Sequence, residues 1–338
     1  MRSKNATFGF LKSNKQNFFD LDPNIICQSA EKHGFIPTGE ILQLNSIENR
    51  VFDIRLEVED AAESAIIKPR HSIIAKFYRP ERWSEETIMD EHNFEIELDA
   101  ETLKVAAPIF LKNKKTVDYF ENIPFAFFEK IRGRLIQEFM PSHFKQIGRW
   151  LAQLHNIGEA KVAMNRFEFG PTTEFKWDAL ENMRSVIAPE VQTEYIRNAK
   201  ILFSELDDRL QDFNYLRIHG DLHRGNILES PDGLVVVDFD DFLNGPAVQD
   251  FWMLFQEEAY EDTDEYDQFV SGYEELRLFP FDELSLIPML RAYRVVSYSA
   301  WIHKRWSDPS FPRLFPQYET YNYWAEQNEE LKRLVQTF

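Results

Sequence analysis

The stretch Ile218-His219-Gly220-Asp221-Leu222-His223-Arg224-Gly225-Asn226, followed by Val235-Val236-Val237-Asp238-Phe239-Asp240, decides how this chain is read. Asn226 comes five positions after Asp221, and Asp238 twelve after Asn226. Between them Pro231-Asp232-Gly233 separates two apolar runs, which is the chemistry of a tight hairpin. Three oxygen-bearing side chains thus flank one hairpin. A divalent cation that bridges phosphates takes carboxylate and amide oxygens from rigid elements and leaves its other positions to water and phosphate. Asn226 and Asp238 suit that task. Asp221 lies upstream in the loop, placed to accept a proton from an attacking hydroxyl. A plain polar hairpin would account for Asp232-Gly233 as turn residues. It leaves Asp238 at the end of an apolar run, where a charge is costly without a cation. A zinc site from His219, Asp221 and His223 is a further alternative, but the chain has only 8 histidines and no second pair to complete it.

Working outward, the chain has 338 residues, which suggests about two domains or lobes. Glycine is scarce (12) and phenylalanine abundant (30), which disfavours a many-stranded sandwich and favours helices with a limited sheet. The net charge of −19 excludes general binding to nucleic acid or anionic membranes, although a local basic cleft for a phosphorylated ligand stays open. The single Cys27 rules out an internal disulfide and reads as a small buried hydrophobe beside Ile25 and Ile26. No secretory segment or apolar run of membrane-spanning length stands out, so a cytoplasmic protein is expected.

The first part reads as strands at 50–56, 71–78 and 124–131, with a polar turn region around Pro69 and a helix at 85–103 capped by Ser84. From about Met140 the pattern turns helical, with Phe144, Ile147, Leu151 and Leu154 on one face. Further helices are expected at 177–186, 191–206 and 280–306, the last starting from an Asp282 cap, and 257–267 is an acidic stretch. The architecture expected is α+β and two-lobed. It comprises a mobile tail at 1–15, a strand-plus-helix lobe at 16–132, and a helical lobe at 133–338 that carries the hairpin.

Lys76 stands alone inside the apolar strand 73–77. A cation there could meet the α/β-phosphates of a nucleotide if a helix carboxylate holds it. Of Asp90, Glu91, Glu95 and Glu97, the best placed is Glu91, early in the helix and near the sheet. No G-x-G-x-x-G loop precedes Lys76; Leu44-Asn45-Ser46-Ile47-Glu48-Asn49-Arg50 stands in its place, and Ser46 could cap phosphate. Backbone groups around Phe128–Lys130, centred on Glu129, are the expected partners of an adenine edge, with 124–130 as the hinge. His219 reads as a strut for the loop. Arg224 is either a phosphate contact or a solvated surface group. Asp240, Asp241 and Asp250 would suit a cationic acceptor, although Asp250 also reads as a strut and Asp240 as an auxiliary of Asp238.

The order His-x-Asp-x-x-x-x-Asn, then Asp-Phe, resembles protein-kinase-like phosphotransferases. Gly220 in place of Arg, and Asp238-Phe239-Asp240 in place of Asp-Phe-Gly, resemble the aminoglycoside phosphotransferase and choline kinase branch. Wider blocks (Asn45–Val51, Lys76–Trp83, Val105–Pro108, Asn244–Leu254 and Trp306–Pro312) resemble the bacterial Ser/Thr protein kinases of that superfamily. The resemblance implies Asp221 as proton acceptor, Mg2+ on Asn226 and Asp238, and ATP near Ser46. It further implies a monomeric cytoplasmic kinase of envelope stress acting on Ser/Thr of proteins. A small-molecule kinase for an amino alcohol or amino sugar is the alternative. A catalytically idle scaffold that docks partners through its aromatic-rich C-terminal part is another.

Overall fold

The computed structural model describes residues 18–19, 21–57, 71–169, 175–255 and 260–337. The expected tail at 1–15, the turn at Pro69 and residues 257–259 of the acidic stretch lie outside the described residues. In chain order the elements are α1 (Pro23–Lys32), β1 (Pro37–Gln43), β2 (Arg50–Leu56), β3 (Ser72–Phe77), α2 (Glu85–Ala100), β4 (Asp118–Phe120), β5 (Ile123–Glu129) and β6 (Arg134–Leu135). There follow α3 (Pro141–Glu159), α4 (Phe175–Met183), α5 (Pro189–Leu210), β7 (Leu216–Ile218), β8 (Ile227–Ser230), β9 (Gly233–Val236) and β10 (Leu243–Gly245). The chain ends with α6 (Asp264–Glu274), α7 (Ile287–Arg305), α8 (Phe311–Leu314) and α9 (Tyr321–Val335). The contacts of the described residues form two units: those up to Phe139 with Gly225–Asp240, and those from Met140 to Arg224 with those from Asp241 onward. The hairpin, expected in the helical lobe, belongs to the first unit, because β8 pairs with β6 and Val236 bridges to Val105.

The first unit is built on an antiparallel sheet of order β1-β2-β3-β5-β4. Successive side chains of a strand point to opposite faces, and β3 uses both. Ile73, Ala75 and Phe77 pack with Phe52, Ile54, Phe125 and Phe127 and with Ile26 and Ala30 of α1. On the other face Tyr78, Ala126 and Phe128 pack with Ile88 of α2. Lys76 pairs in register with Val51 and Ala126, so it belongs to the face that α2 covers. Ser84 caps α2, its Oγ accepting from the Thr87 N–H at 3.2 Å. The helix stops at Ala100, short of the expected 103, because Thr102 takes a left-handed φ of 63°. Cys27, on α1, is half-buried rather than buried.

In the second unit α3 and α6 cross with glycine on both sides. A methyl on Gly148 would overlap the Phe269 carbonyl, and one on Gly272 the Lys145 carbonyl. The four apolar positions read on one face of α3 are all buried. The α-helix expected from Asp282 starts instead at Ile287, after a 3-10 turn over Phe281–Leu286. Pro288 explains the shift: it lacks an N–H and its ring would strike the carbonyl four residues back, so it fits only the first helical turn.

Candidate functional site

Lys76 is 8% exposed in the central strand of the first unit. Its Nζ donates to Glu91 Oε1 at 2.9 Å and lies 3.2 Å from Asp240 Oδ1 and 4.0 Å from Asp238 Oδ1. Burial by itself would lower the basicity of the ammonium. The carboxylates of Asp240 and Glu91 outweigh it and hold the Lys76 pKa well above its ordinary value. Lys76 is therefore a fixed positive charge, and Glu91 is the helix carboxylate that grips it. Asp240 also pairs with Arg82, and Arg82 and Arg79 lie 3.8 and 3.1 Å from Glu48. The Arg79 N–H donates to Asn49 Oδ1 at 3.2 Å. This lattice ties the turn before β2 to the segment after β3.

The hairpin sets Asn226 and Asp238 side by side. Ile227 pairs with Val236, and one step outward the Val237 N–H donates to the Asn226 carbonyl at 3.0 Å. Asp238 follows at once, with a φ of 69°. Few residues other than Gly, Asn and Asp accept that conformation, and such strain collects at functional positions. Asn226 is nearly buried, whereas the Asp238 side chain is 58% exposed. Their hard oxygen donors fit a divalent cation that keeps positions for phosphate and water. Ser46 sits half-buried between β1 and β2, and Glu129 closes β5 on the surface, opposite Ile73.

Asp221 belongs to the second unit, on a loop pinned by a buried carboxylate. Asp250 accepts the His219 N–H at Oδ2 and the Gly220 N–H at Oδ1, both at 2.7 Å. Gln249 Nε2 donates to the Gly220 carbonyl at 3.0 Å. Behind Asp250, His155 Nε2 lies 3.4 Å from Oδ2, and His155 Nδ1 is 2.8 Å from the Tyr273 hydroxyl. Gly220 has a φ of +84°, and a methyl there would overlap the Asp241 carbonyl, so glycine is required. His219 is fully buried, and its Nδ1 accepts the Asp221 N–H at 3.3 Å, as a strut would. Asp250 is likewise a strut and is closed to any acceptor.

Arg294 and His223 face the Asp221 carboxylate. Arg294 Nη1, from α7, donates to Oδ1 at 2.5 Å, and His223 Nε2 lies 3.7 Å from Oδ2. Burial lowers the His223 pKa against the opposing pull of Asp221, which favours the neutral imidazole. Arg224 is not a solvated surface group: Nε donates to the Leu254 carbonyl at 2.7 Å, and the guanidinium lies 5.2 Å from the Phe144 ring. The zinc alternative finds no support. Among the described residues the one cluster of three metal-capable groups is Glu91, His92 and Glu95. There Glu91 holds Lys76, while the His92 ring nitrogens meet the Tyr78 hydroxyl at 2.8 Å and the Thr116 hydroxyl at 2.7 Å. Sequence reasoning missed Arg294, which comes 73 residues after Asp221 and carries no local signal. It also gave Arg82 and Glu48 no role beyond their place in the blocks Lys76–Trp83 and Asn45–Val51.

A family model described as the phosphotransferase enzyme family matches residues 48–286. Stress response kinase A of Escherichia coli (strain K12) is 33% identical over 316 residues, which are 92% of this chain and 91% of that protein. Serine/threonine protein kinase RdoA of Salmonella typhimurium (strain LT2) is 33% identical over 325 residues, 94% of this chain and 93% of its own. Among solved structures, the amicoumacin kinase hAmiN in complex with AMP-PNP, Ca2+ and Ami has a TM-score of 0.69 at 18% identity, covering 91% and 94% of the two chains. The microcompartment-associated aminopropanol kinase has 0.68 at 19% identity, covering 94% and 98%. At such identities the likeness speaks for the fold alone, a kinase-like α+β fold. The family model spans well over half of the sequence and the relatives are alike along nearly all of it, so this chain belongs to the phosphotransferase enzyme family.

Proposed function

We propose that this phosphotransferase moves the γ-phosphoryl group of ATP to Ser and Thr hydroxyls of proteins. The observation that carries the nucleotide half is the buried Lys76, held by Glu91 in the same unit as the paired Asn226 and Asp238. In this reading Lys76 neutralises the α/β-phosphates, while Ser46 and the backbone at 128–130, around Glu129, contact the nucleotide. A bound Mg2+ would supply charge neutralisation at the β/γ-phosphates, with Asn226 and Asp238 as its protein ligands. Asp221 orients the acceptor hydroxyl and takes its proton as the new O–P bond forms; the bond from the γ-phosphorus to the β-phosphate oxygen breaks, leaving ADP. Protein as the acceptor rests on the relative named as a serine/threonine protein kinase, a third identical along most of the chain. The name of the Escherichia coli relative suggests a stress-response setting, and we place the protein in the cytoplasm as a monomer.

The test is transfer from γ-labelled ATP to Ser/Thr-rich proteins and, in parallel, to cationic amino alcohols. Protein labelling is expected, with Asp221→Asn lowering kcat by roughly 10²–10⁴-fold, the usual worth of a positioned base. Labelling of the small molecules alone would overturn the protein acceptor. Undiminished turnover in Asp221→Asn would remove Asp221 from the chemistry.

A further inference from the structure

Arg294 is a cation set directly against Asp221, and it answers a question the proposed reaction leaves open: what charge the acceptor carries. It projects from α7, and its side chain is 38% exposed. One guanidinium N–H is spent on Asp221 Oδ1 at 2.5 Å. A guanidinium has five N–H donors in a rigid fork, so a partly exposed one retains donors for a second oxyanion. The carboxylate that meets the hydroxyl is thus already matched by a fixed positive charge. A cationic acceptor finds no unpaired negative charge at Asp221 and meets like charge from Arg294. Asp241 is a second carboxylate whose charge reaches Tyr293 beside Arg294, but it is the Asp221 charge that Arg294 neutralises. Burial favours the neutral form of His223, 3.7 Å from Asp221 Oδ2, over a cation.

The same helix face continues as a shelf. Four residues on, Tyr298 is 42% exposed, and its ring lies 5.5 Å from Trp301 and 6.1 Å from Phe315. Spacings of four and seven put Arg294, Tyr298 and Trp301 on one side of α7. A stripe of half-exposed rings beginning at a guanidinium suits an extended chain better than a compact amine, because the rings offer contact well beyond the reacting hydroxyl.

We propose that Arg294 selects an acidic protein segment as acceptor, the Ser or Thr to be phosphorylated lying close to an Asp or Glu whose carboxylate meets the guanidinium, with neighbouring apolar side chains on Tyr298 and Trp301. This deepens the proposed reaction and rests on Asp221 facing the acceptor. The experiment compares three Ser peptides of equal length, flanked by Glu, Gln or Lys, with wild type, Arg294→Lys, Arg294→Gln and Arg294→Glu. Wild type is expected to favour the Glu-flanked over the Lys-flanked peptide by about tenfold or more in kcat/KM, the scale of one charge-assisted contact. The ratio should persist in part in Arg294→Lys, approach unity in Arg294→Gln and invert in Arg294→Glu. Raising salt to about 0.5 M should shrink the wild-type preference, a readout that does not depend on any variant folding. An unchanged ratio in all variants, or a wild-type preference for Lys flanks, overturns the selection while leaving protein phosphorylation intact. Labelling of amino alcohols with no labelling of any peptide or protein overturns the underlying reading, and this one with it.

Discussion

Asp238 pairs two properties that its side chain alone does not require, a left-handed backbone and a majority-exposed carboxylate. Asn tolerates the same φ, so Asp238→Asn removes the charge without refolding the turn. Calorimetry should find that nucleotide affinity in Mg2+ falls by roughly ten- to a hundredfold, as expected for loss of a charged contact of ~1.5–3 kcal/mol, and that affinity without the cation is unaltered. Wild-type cation dependence in the variant would take Asp238 out of metal binding. Glu283 offers a different residue-scale test. It accepts the Val248 N–H at 2.8 Å, and burial pushes its carboxyl up to about 7 despite the pull of that N–H and of Arg277. A raised carboxyl binds its proton more tightly in the folded state, so the stability it contributes is present at low pH and lost as pH rises from about 4.5 to 7. Glu283→Gln keeps the acceptor for Val248 and should gain on wild type across that window, by at most roughly 3 kcal/mol. Urea midpoints at pH 5 and pH 8 that shift in parallel for both proteins would refute the assignment. Lys76, Glu91 and the hairpin pair were legible because each sits in a short local pattern. Arg294 and Arg82 were not, because a salt bridge formed across the fold leaves no spacing to read.

At the scale of elements, the helices separate what propensity decides from what packing decides. Ser84 was legible as a cap because capping is local. Its removal in Ser84→Ala should cost about 1 kcal/mol, the usual worth of such a bond to an N–H. The crossing of α3 and α6 was not legible, because Gly148 and Gly272 read as ordinary helix glycines until both helices are in place. Gly148→Ala, which raises helix propensity, should nonetheless lower stability by ~1–3 kcal/mol or more, since the methyl meets backbone that cannot rotate away. Thermal unfolding that ranks Gly148→Ala below Ser84→Ala supports this account; a stabilised Gly148→Ala variant overturns it. The start of α7 carries the same lesson in reverse, because the information lay in Pro288, six residues after the Asp282 that reads as a cap.

For the whole molecule, charge and connectivity matter most. With 57 acidic and 38 basic residues, the folded state repels itself at low ionic strength. Raising salt from about 0.01 to 0.15 M should therefore raise Tm, because the screening length falls from ~30 to ~8 Å. A falling Tm would mean that the ion pairs around Lys76 and Asp240 outweigh the net repulsion. Among the described residues no helix is long and apolar enough to cross a membrane. By itself the amino-acid order determined the α+β class, the strand that carries Lys76, the hairpin that joins Asn226 to Asp238, and the loop that bears Asp221, because each depends on periodicity or turn chemistry within some twenty residues. Only the tertiary structure decided that the hairpin belongs to the first unit, that Asp250 is spent on holding the loop, and that Arg294 stands against Asp221. Those outcomes depend on strands and charged groups finding partners dozens of positions away, and such pairing, unlike spacing, cannot be read along a chain.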